Sequence, residues 1–177
     1  LETIVLPARL VSIGAQAFEG CDRLTQATIP ASVTTLGELA FQRCTGLTSI
    51  QVHPANATYA SVSGILFNTA LRKLLKCPAR KSGPYAVPPG TLSIHTYAFE
   101  ECDQLTAVTL PDSLVEVGNH AFWDCQALAS ITVSSGNTAM VSTDGVLFDA
   151  GKTTLIRFPA ARGGAYELPP SVRSISD

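Results

Sequence analysis

The chain has 177 residues, with 12 Lys and Arg against 14 Asp and Glu, and a formal net charge of −2. An apolar fraction of 46% with only 15% charged residues fits a folded chain and excludes a disordered one. The near-neutral balance gives no general drive toward nucleic acid, and no apolar run approaches the roughly 20 residues that span a bilayer, so neither nucleic-acid binding nor direct membrane insertion is expected.

The chain opens on Leu1-Glu2-Thr3-Ile4-Val5-Leu6-Pro7, which matches Leu105 to Pro111 and reads as the close of a repeat unit. A full unit follows from Pro7, PARLVSIGAQAFEGCDRLTQATIP, and a second from Pro30, PASVTTLGELAFQRCTGLTSIQVHP. Each places apolar residues ahead of Ala-Phe, Cys three residues after the Phe, and Leu three after the Cys. The tails alternate, as in Leu24-Thr-Gln-Ala27-Thr-Ile29 and Leu47-Thr-Ser-Ile50-Gln-Val52. That spacing turns the named residues inward on a short strand and leaves Thr, Ser and Gln on the other face. The closing proline lacks an N–H for the ladder and ends the strand. Ala-Phe-x-x-Cys fits about one helical or 3-10 turn, with Phe and Cys both inward.

Asn56 to Pro78 breaks the pattern. Ser63-Gly64, between Ala60-Ser-Val62 and Ile65-Leu66-Phe67, is a tight-hairpin sequence. A return strand ends at Leu74-Leu75-Lys76-Cys77-Pro78, and another short strand begins at Tyr85. The short unit then returns from Pro88 as PPGTLSIHTYAFEECDQLTAVTLP and from Pro111 as PDSLVEVGNHAFWDCQALASITV. Asn137 to Pro159 repeats the long segment around Asp144-Gly145, and PPSVRSISD opens a further unit. Phe18 and Phe41 are 23 residues apart, as are Phe99 and Phe122; Phe18 and Phe99, Gly64 and Gly145, and Tyr85 and Tyr166 are each 81 apart. A fixed period in this range marks a stacked repeat protein. The expectation is one solenoid over residues 1–177, built of two 81-residue cassettes at about 7–87 and 88–168 and truncated at both ends.

The motif P-x-x-[LV]-x-x-[IL]-G-x-x-A-F-x-x-C-x-x-L-x-x-[IV]-x-[LIV]-P resembles the BspA-like subclass of leucine-rich repeats, over essentially the whole chain. His95 departs from it, standing where Gly14, Gly37 and Gly118 stand, and His53 lengthens one unit. The resemblance implies a curved leucine-rich-repeat solenoid. Short parallel strands would line its concave face, turns and short helical or 3-10 pieces its convex side, with β-hairpin insertions. It also implies carriage on large cell-surface or secreted proteins of host-associated microbes, often tied to adhesion. The implied location is extracellular or at the cell surface, and the implied partner is a host extracellular or surface protein, or a glycan.

Nothing in the residue pattern points to catalysis. His53, His95 and His120 fall in different slots of the unit, and no G-x-S-x-G is present. His120 with Trp123 and Asp124 suggests a dyad, yet the positions aligned with His120 hold Gln16, Leu39 and Tyr97, which reads as a variable convex surface. Glu100-Glu101 replaces Glu19-Gly20 and Gln42-Arg43 and reads as a solvated turn. Cys21, Cys44, Cys102 and Cys125 share one slot, and Cys77 alternates with Phe158, as small buried residues do. Stacked Cys21–Cys44 and Cys102–Cys125 leave disulfide pairing open, because neighbouring strands lie about 4.8 Å apart. No CxxC cluster suits zinc, and Ser63 and Asn68 replace Asp144 and Asp149 in the first cassette, against a calcium loop. No metal or cofactor is expected. Asn56-Ala-Thr58 is a formal glycosylation sequon.

Two surfaces are candidates for binding. The strand face presents Thr3, Thr25, Gln26, Thr28, Thr48, Ser49, Gln51, Thr106, Thr109, Ser130 and Thr132 away from the core, as solenoids build extended binding surfaces. That face lacks the Trp, Tyr and Arg of interface hot spots, so its binding would be weak or multivalent, and a Thr/Ser ladder also serves simply to solvate a sheet. The second is a basic run, Arg72, Lys73, Lys76, Arg80 and Lys81, suited to acidic glycans or an acidic protein patch. Its plain reading is edge-strand protection by cations.

Overall fold

The structure, a computed structural model, describes residues 1–176; Asp177 lies outside the described residues. The first coil carries β1 (Ser12–Ile13) and β2 (Gln26–Ile29), and the second β3 (Thr35–Leu36) and β4 (Ser49–Val52). The longer third coil holds β5 (Tyr59–Val62), β6 (Ile65–Asn68), β7 (Lys73–Lys76) and β8 (Gly83–Ala86). The short pattern returns in the fourth and fifth coils as β9 (Ser93–Ile94) with β10 (Leu105–Leu110), and β11 (Glu116–Val117) with β12 (Ser130–Val133). The long one returns as β13 (Met140–Thr143), β14 (Val146–Asp149) and β15 (Thr154–Arg157), before β16 (Ser174–Ile175).

The L-x-x-I-x-V tails form the main strands because alternation gives each an apolar and a polar face. In β2, Ala27 and Ile29 are buried while Gln26 and Thr28 face solvent. β2 pairs parallel with β4, Gln26 opposite Ser49 and Thr28 opposite Gln51, and β10 lies between β8 and β12. A second ladder at the unit's opening runs β1–β3, then β11-β9-β7-β6-β5 as a five-stranded sheet. The chain is a leucine-rich-repeat solenoid, its core filled by stacked copies of the same slots.

Both hairpins form as their sequences demand. Ser63 and Gly64 have φ of 52° and 77°, and Asp144 and Gly145 have 51° and 80°, so both central residues are left-handed and the turn matches the twist of its strands. A Cβ added at Gly64 would lie 2.9 Å from that of Ser49. The tip then takes the edge of the strand ladder, with the Ile50 and Ile131 amides donating to the Gly64 and Gly145 carbonyls, each at 2.8 Å. The strand side is therefore two ladders, β2–β4 and β8–β10–β12, separated by a hairpin tip.

The expected helical turn at Ala-Phe-x-x-Cys does not form; the segment is a succession of tight turns. Gln16, Leu39, Tyr97 and His120 have φ of 56°, 57°, 57° and 54°, and two residues past each Phe the backbone is left-handed again, at Gly20, Arg43, Glu101 and Asp124. A left-handed residue on either side of Ala-Phe breaks any helix. The amides reach across to the next coil instead. Gln16, Phe18 and Gly20 donate to Glu38, Ala40 and Gln42 at 3.0, 2.9 and 3.0 Å, and Phe99 and Glu101 to Ala121 and Trp123 at 2.7 and 2.9 Å. The loop side thus has a hydrogen-bond ladder of its own.

Phe18 stacks on Phe41 at 5.2 Å, and Phe99 on Phe122 at 5.0 Å. All five cysteines are free thiols. Cys44 donates to the Phe18 carbonyl and Cys125 to the Phe99 carbonyl, each at 3.0 Å, so the repeat thiol ties each coil to the one before. Burial pushes the Cys44 thiol up to about 11 and the Cys125 thiol up to about 12.

Asn56 and Asn137 fasten the long coils. Asn56 Nδ2 donates to the Pro30 and Val33 carbonyls at 2.7 and 2.9 Å, while its Oδ1 accepts from the Thr58 and Tyr59 amides at 2.8 Å. Asn137 repeats all four bonds with Pro111, Leu114, Ala139 and Met140.

Candidate binding surfaces and the inter-coil cleft

On the strand face, Thr25, Gln26, Thr28, Thr48, Gln51, Thr106, Thr109 and Thr132 are exposed, and Thr3 bridges to Gln26. Ser49 and Ser130 differ: each is half-buried beneath a hairpin glycine, Gly64 or Gly145. The rows are partly self-satisfied. Thr48 Oγ1 donates to the Thr25 carbonyl at 2.8 Å, and the Thr109 and Thr132 hydroxyls lie 3.0 Å apart. The face forms two polar patches, Gln26, Thr28 and Gln51 on one ladder and Thr106, Thr109 and Thr132 on the other.

The basic run does not gather into one patch, and β7 is no edge strand, since it lies between β6 and β9. Arg72 and Lys73 are exposed at its start. Lys76 turns inward on the loop side, its Nζ donating to the Tyr97 carbonyl at 3.2 Å and lying 3.6 Å from Glu100 Oε2. Arg80 sits beyond the bend at Pro78, where its amide bonds the Leu47 carbonyl, and Lys81 lies over the Tyr85 ring at 5.6 Å. The run wraps around the coil.

Lys76 marks a feature that the sequence reading missed. The third coil has no Ala-Phe loop, so the loops of the second and fourth coils face each other across a cleft of about 120 Å³. Leu39, Phe41, Tyr59, Leu66 and Leu75 make its apolar lining, and His95, Tyr97 and Glu100 form part of the far wall. Glu100, expected to be a solvated turn residue, is only 3% exposed. Its Oε1 accepts from Gln42 Nε2 at 3.0 Å, a strut between the two loops, while Oε2 has no hydrogen-bond partner. Beside it, burial and the Glu100 charge hold the Glu101 carboxyl above the usual carboxylate range. His95 fits for the same reason that the cleft exists. A Cβ at Gly118 would meet Thr96 N at 2.5 Å and one at Gly37 would meet Ala15 N at 2.1 Å, whereas His95 has no loop stacked against it from the third coil.

An exposed aromatic group continues from this wall: Tyr97 stacks on His120 at 5.1 Å, and His120 lies 5.1 Å from Trp123, which is 50% exposed. The other single residues have structural employment. Asp149 accepts the Thr153 hydroxyl at 2.6 Å and the Thr153 and Thr154 amides at 2.7 Å, which hold its carboxyl below the usual range. Asn68 accepts the Lys73 amide at the same place in the first cassette. Asn56 is buried with both amide hydrogens engaged, so the sequon presents no free nitrogen. Among the described residues, no three His, Cys, Asp or Glu side chains converge as a metal site, and no helix is long and apolar enough to cross a membrane.

The family described as BspA type leucine rich repeat region matches residues 1–74 and 85–157, in six copies. The chain belongs to this family. Among solved structures, the BspA-type chain is similar to a leucine-rich cell surface protein from Faecalibacterium prausnitzii, at 26% identity and a TM-score of 0.71, over 99% of this chain and 53% of that one. The pneumococcal vaccine antigen PcpA matches 72% of this chain and 32% of its own length, at 30% identity and a TM-score of 0.67. A leucine-rich repeat protein from Eubacterium ventriosum shares the fold at 22% identity and a TM-score of 0.62, over 99% of this chain and 44% of that one. The chain thus spans between about a third and a half of the length of these relatives. Comparison with curated proteins gives no match. A binding or structural role is what this family of bacterial repeat proteins suggests.

Proposed function

We propose that the chain is a non-catalytic binding region of a cell-surface or secreted protein, holding a host protein or a glycan through its strand face. The observation that carries this reading is the in-register polar surface: Gln26 opposite Ser49, Thr28 opposite Gln51 and Thr109 opposite Thr132, on a rigid ladder whose other face is core. Repeating uncharged hydroxyl and amide groups suit the hydroxyls of a glycan or the main chain of a protein, and repetition along a solenoid supplies avidity where single contacts are weak. The partly self-satisfied hydroxyls favour a second reading, an architectural spacer whose strand face is merely solvated.

The test is retention of the chain on immobilised host matrix proteins and glycans across a salt series. Saturable binding at physiological salt that is lost in Thr48→Glu with Thr106→Glu is expected. Binding that falls steeply with salt and with Lys73→Ala moves the site to the exposed cations. Binding lost in Trp123→Ala moves it to the aromatic group, and no retention on any surface favours the spacer.

A further inference from the structure

Three side chains meet where the loop of the second coil faces the third. Among the described residues, the amides of Leu39, Phe41 and Arg43 have no backbone acceptor, whereas the third and fourth coils are joined by the Cys77 amide on the Ala98 carbonyl at 2.7 Å. Gln42 from the second coil, Lys76 from the third and Glu100 from the fourth bridge this junction. Gln42 Nε2 donates to Glu100 Oε1 at 3.0 Å, and Lys76 Nζ lies 3.6 Å from Glu100 Oε2. One carboxylate thus holds a carboxamide on one oxygen and an amine on the other. A further bond from Nζ to the Tyr97 carbonyl at 3.2 Å fixes the amine in place. The Lys76 and Glu100 side chains are only 12% and 3% exposed, and Phe41, Leu66 and Leu75 line the same cleft.

We propose that Lys76 and Gln42 join in an intramolecular isopeptide bond, with Glu100 as the catalytic carboxylate. The reaction exchanges one amide for another, so no electrons are transferred and no co-reactant is consumed. Glu100 Oε2 takes a proton from the Lys76 ammonium, and the freed amine attacks Gln42 Cδ. The Nζ–Cδ bond forms and the Cδ–Nε2 bond breaks. Nζ gives up two protons: one passes through Glu100 to Nε2, and the departing nitrogen takes up the other, leaving as ammonium. Glu100 ends as it began, a carboxylate.

The surroundings favour the neutral amine that the attack needs, because burial beside apolar side chains disfavours the ion pair. The same burial, with the Glu100 charge, raises the neighbouring Glu101 carboxyl. Holding amine and amide on one carboxylate also replaces a bimolecular encounter with a positioned one. The second cassette lacks both reactants together: 81 residues on, Trp123 stands in the place of Gln42 and Arg157 in that of Lys76. An arginine would serve a salt bridge as well as a lysine does, but its guanidinium stays charged and does not attack an amide. The bond would tie the second coil to the third on the side where no backbone amide does. It is independent of whether the strand face holds a ligand.

The test is the intact mass of the purified chain, followed during incubation at neutral pH and completed by peptide mapping. The expected product is lighter than the sequence by one ammonia molecule. It should yield a branched tryptic peptide in which residues 24–43, through Gln42, join residues 74–80, through Lys76. Lys76→Arg, which keeps the charge beside Glu100, should retain the full mass. Glu100→Gln, which keeps the size of the side chain, should slow the loss by about a hundredfold or more. Thr106→Glu on the strand face should leave it unchanged. A wild-type chain that keeps its full mass, a loss that maps only to succinimide formation at an asparagine, or a loss that persists in Lys76→Arg would overturn the proposal.

Discussion

The strand side and the loop side of this solenoid are built from one repeat unit, yet the third coil continues only the strand side. The third coil contributes β8 to the strand ladder beside β10, but no Ala-Phe loop to the other side. A strand needs only alternation and a neighbour, and Gly83–Ala86 meets that with four residues. A loop rung needs Phe, Cys and two left-handed residues in fixed places. A spacer sequence can thus extend one ladder while interrupting the other, which leaves a largely apolar cleft on the side opposite a polar face that a hairpin tip divides.

The largest expected effect tests what holds both sides in step. Asn137→Ala removes four hydrogen bonds at once and leaves two carbonyls and two amides unserved. It should lower stability by about 2–4 kcal/mol in chemical denaturation. A loss below about 1 kcal/mol would show that the hairpin strands alone hold the long coil.

Next, the loop-side stacking contrast is checked at the glycine slot. Gly118→Ala, whose Cβ would meet Thr96 N at 2.5 Å, should cost about 1–3 kcal/mol. Gly14→Ala, with nothing within 4 Å, should change stability by less than about 0.5 kcal/mol. Equal costs at the two positions would remove the explanation given for His95.

Thiol labelling sharpens the same comparison. In the folded chain Cys21, half-buried in the first coil, should react with a thiol reagent well before Cys44 and Cys125, whose burial holds the thiols protonated at neutral pH. All five should react after denaturation. Fast labelling of Cys125 in the native chain would mean that the loop ladder opens readily.

The smallest effect separates the two cassettes by pH. Asp149 has a carboxyl depressed in the folded state, so its contribution is present above the ordinary carboxylate range and lost as pH falls through the folded value. Asn68 in the first cassette does not titrate. Asp149→Asn should therefore flatten the acid limb of the stability profile, and Asn68→Asp should steepen it.

Much of this was legible in the sequence, for local reasons. The strands follow from L-x-x-I-x-V, and the hairpins from Ser63-Gly64 and Asp144-Gly145. The turn chemistry of the loops was not legible, because Gln16, Leu39, Tyr97 and His120 give no sign of left-handed backbone and only Gly20 hints at it. The inward course of Lys76 and Glu100 was hidden as well, since charged residues in a variable slot resemble a solvated turn. The one available signal was an absence paired with a substitution: no Ala-Phe between Phe67 and Cys77, and His95 where a glycine stands in the neighbouring units.

The Asn56 clamp has a consequence for how this protein could be manufactured. In a eukaryotic secretory cell, glycan transfer to Asn56-Ala-Thr58 happens on the emerging chain, before the side chain reaches its four partners. A sugar on Nδ2 would then occupy the donor that should bind Pro30 and Val33, and the third coil could not close. Asn137 is followed by Thr138-Ala139 and is no acceptor sequon, so the second cassette would escape. Protein made in such cells would carry one sound half and one damaged half, whereas a bacterial host would yield both intact.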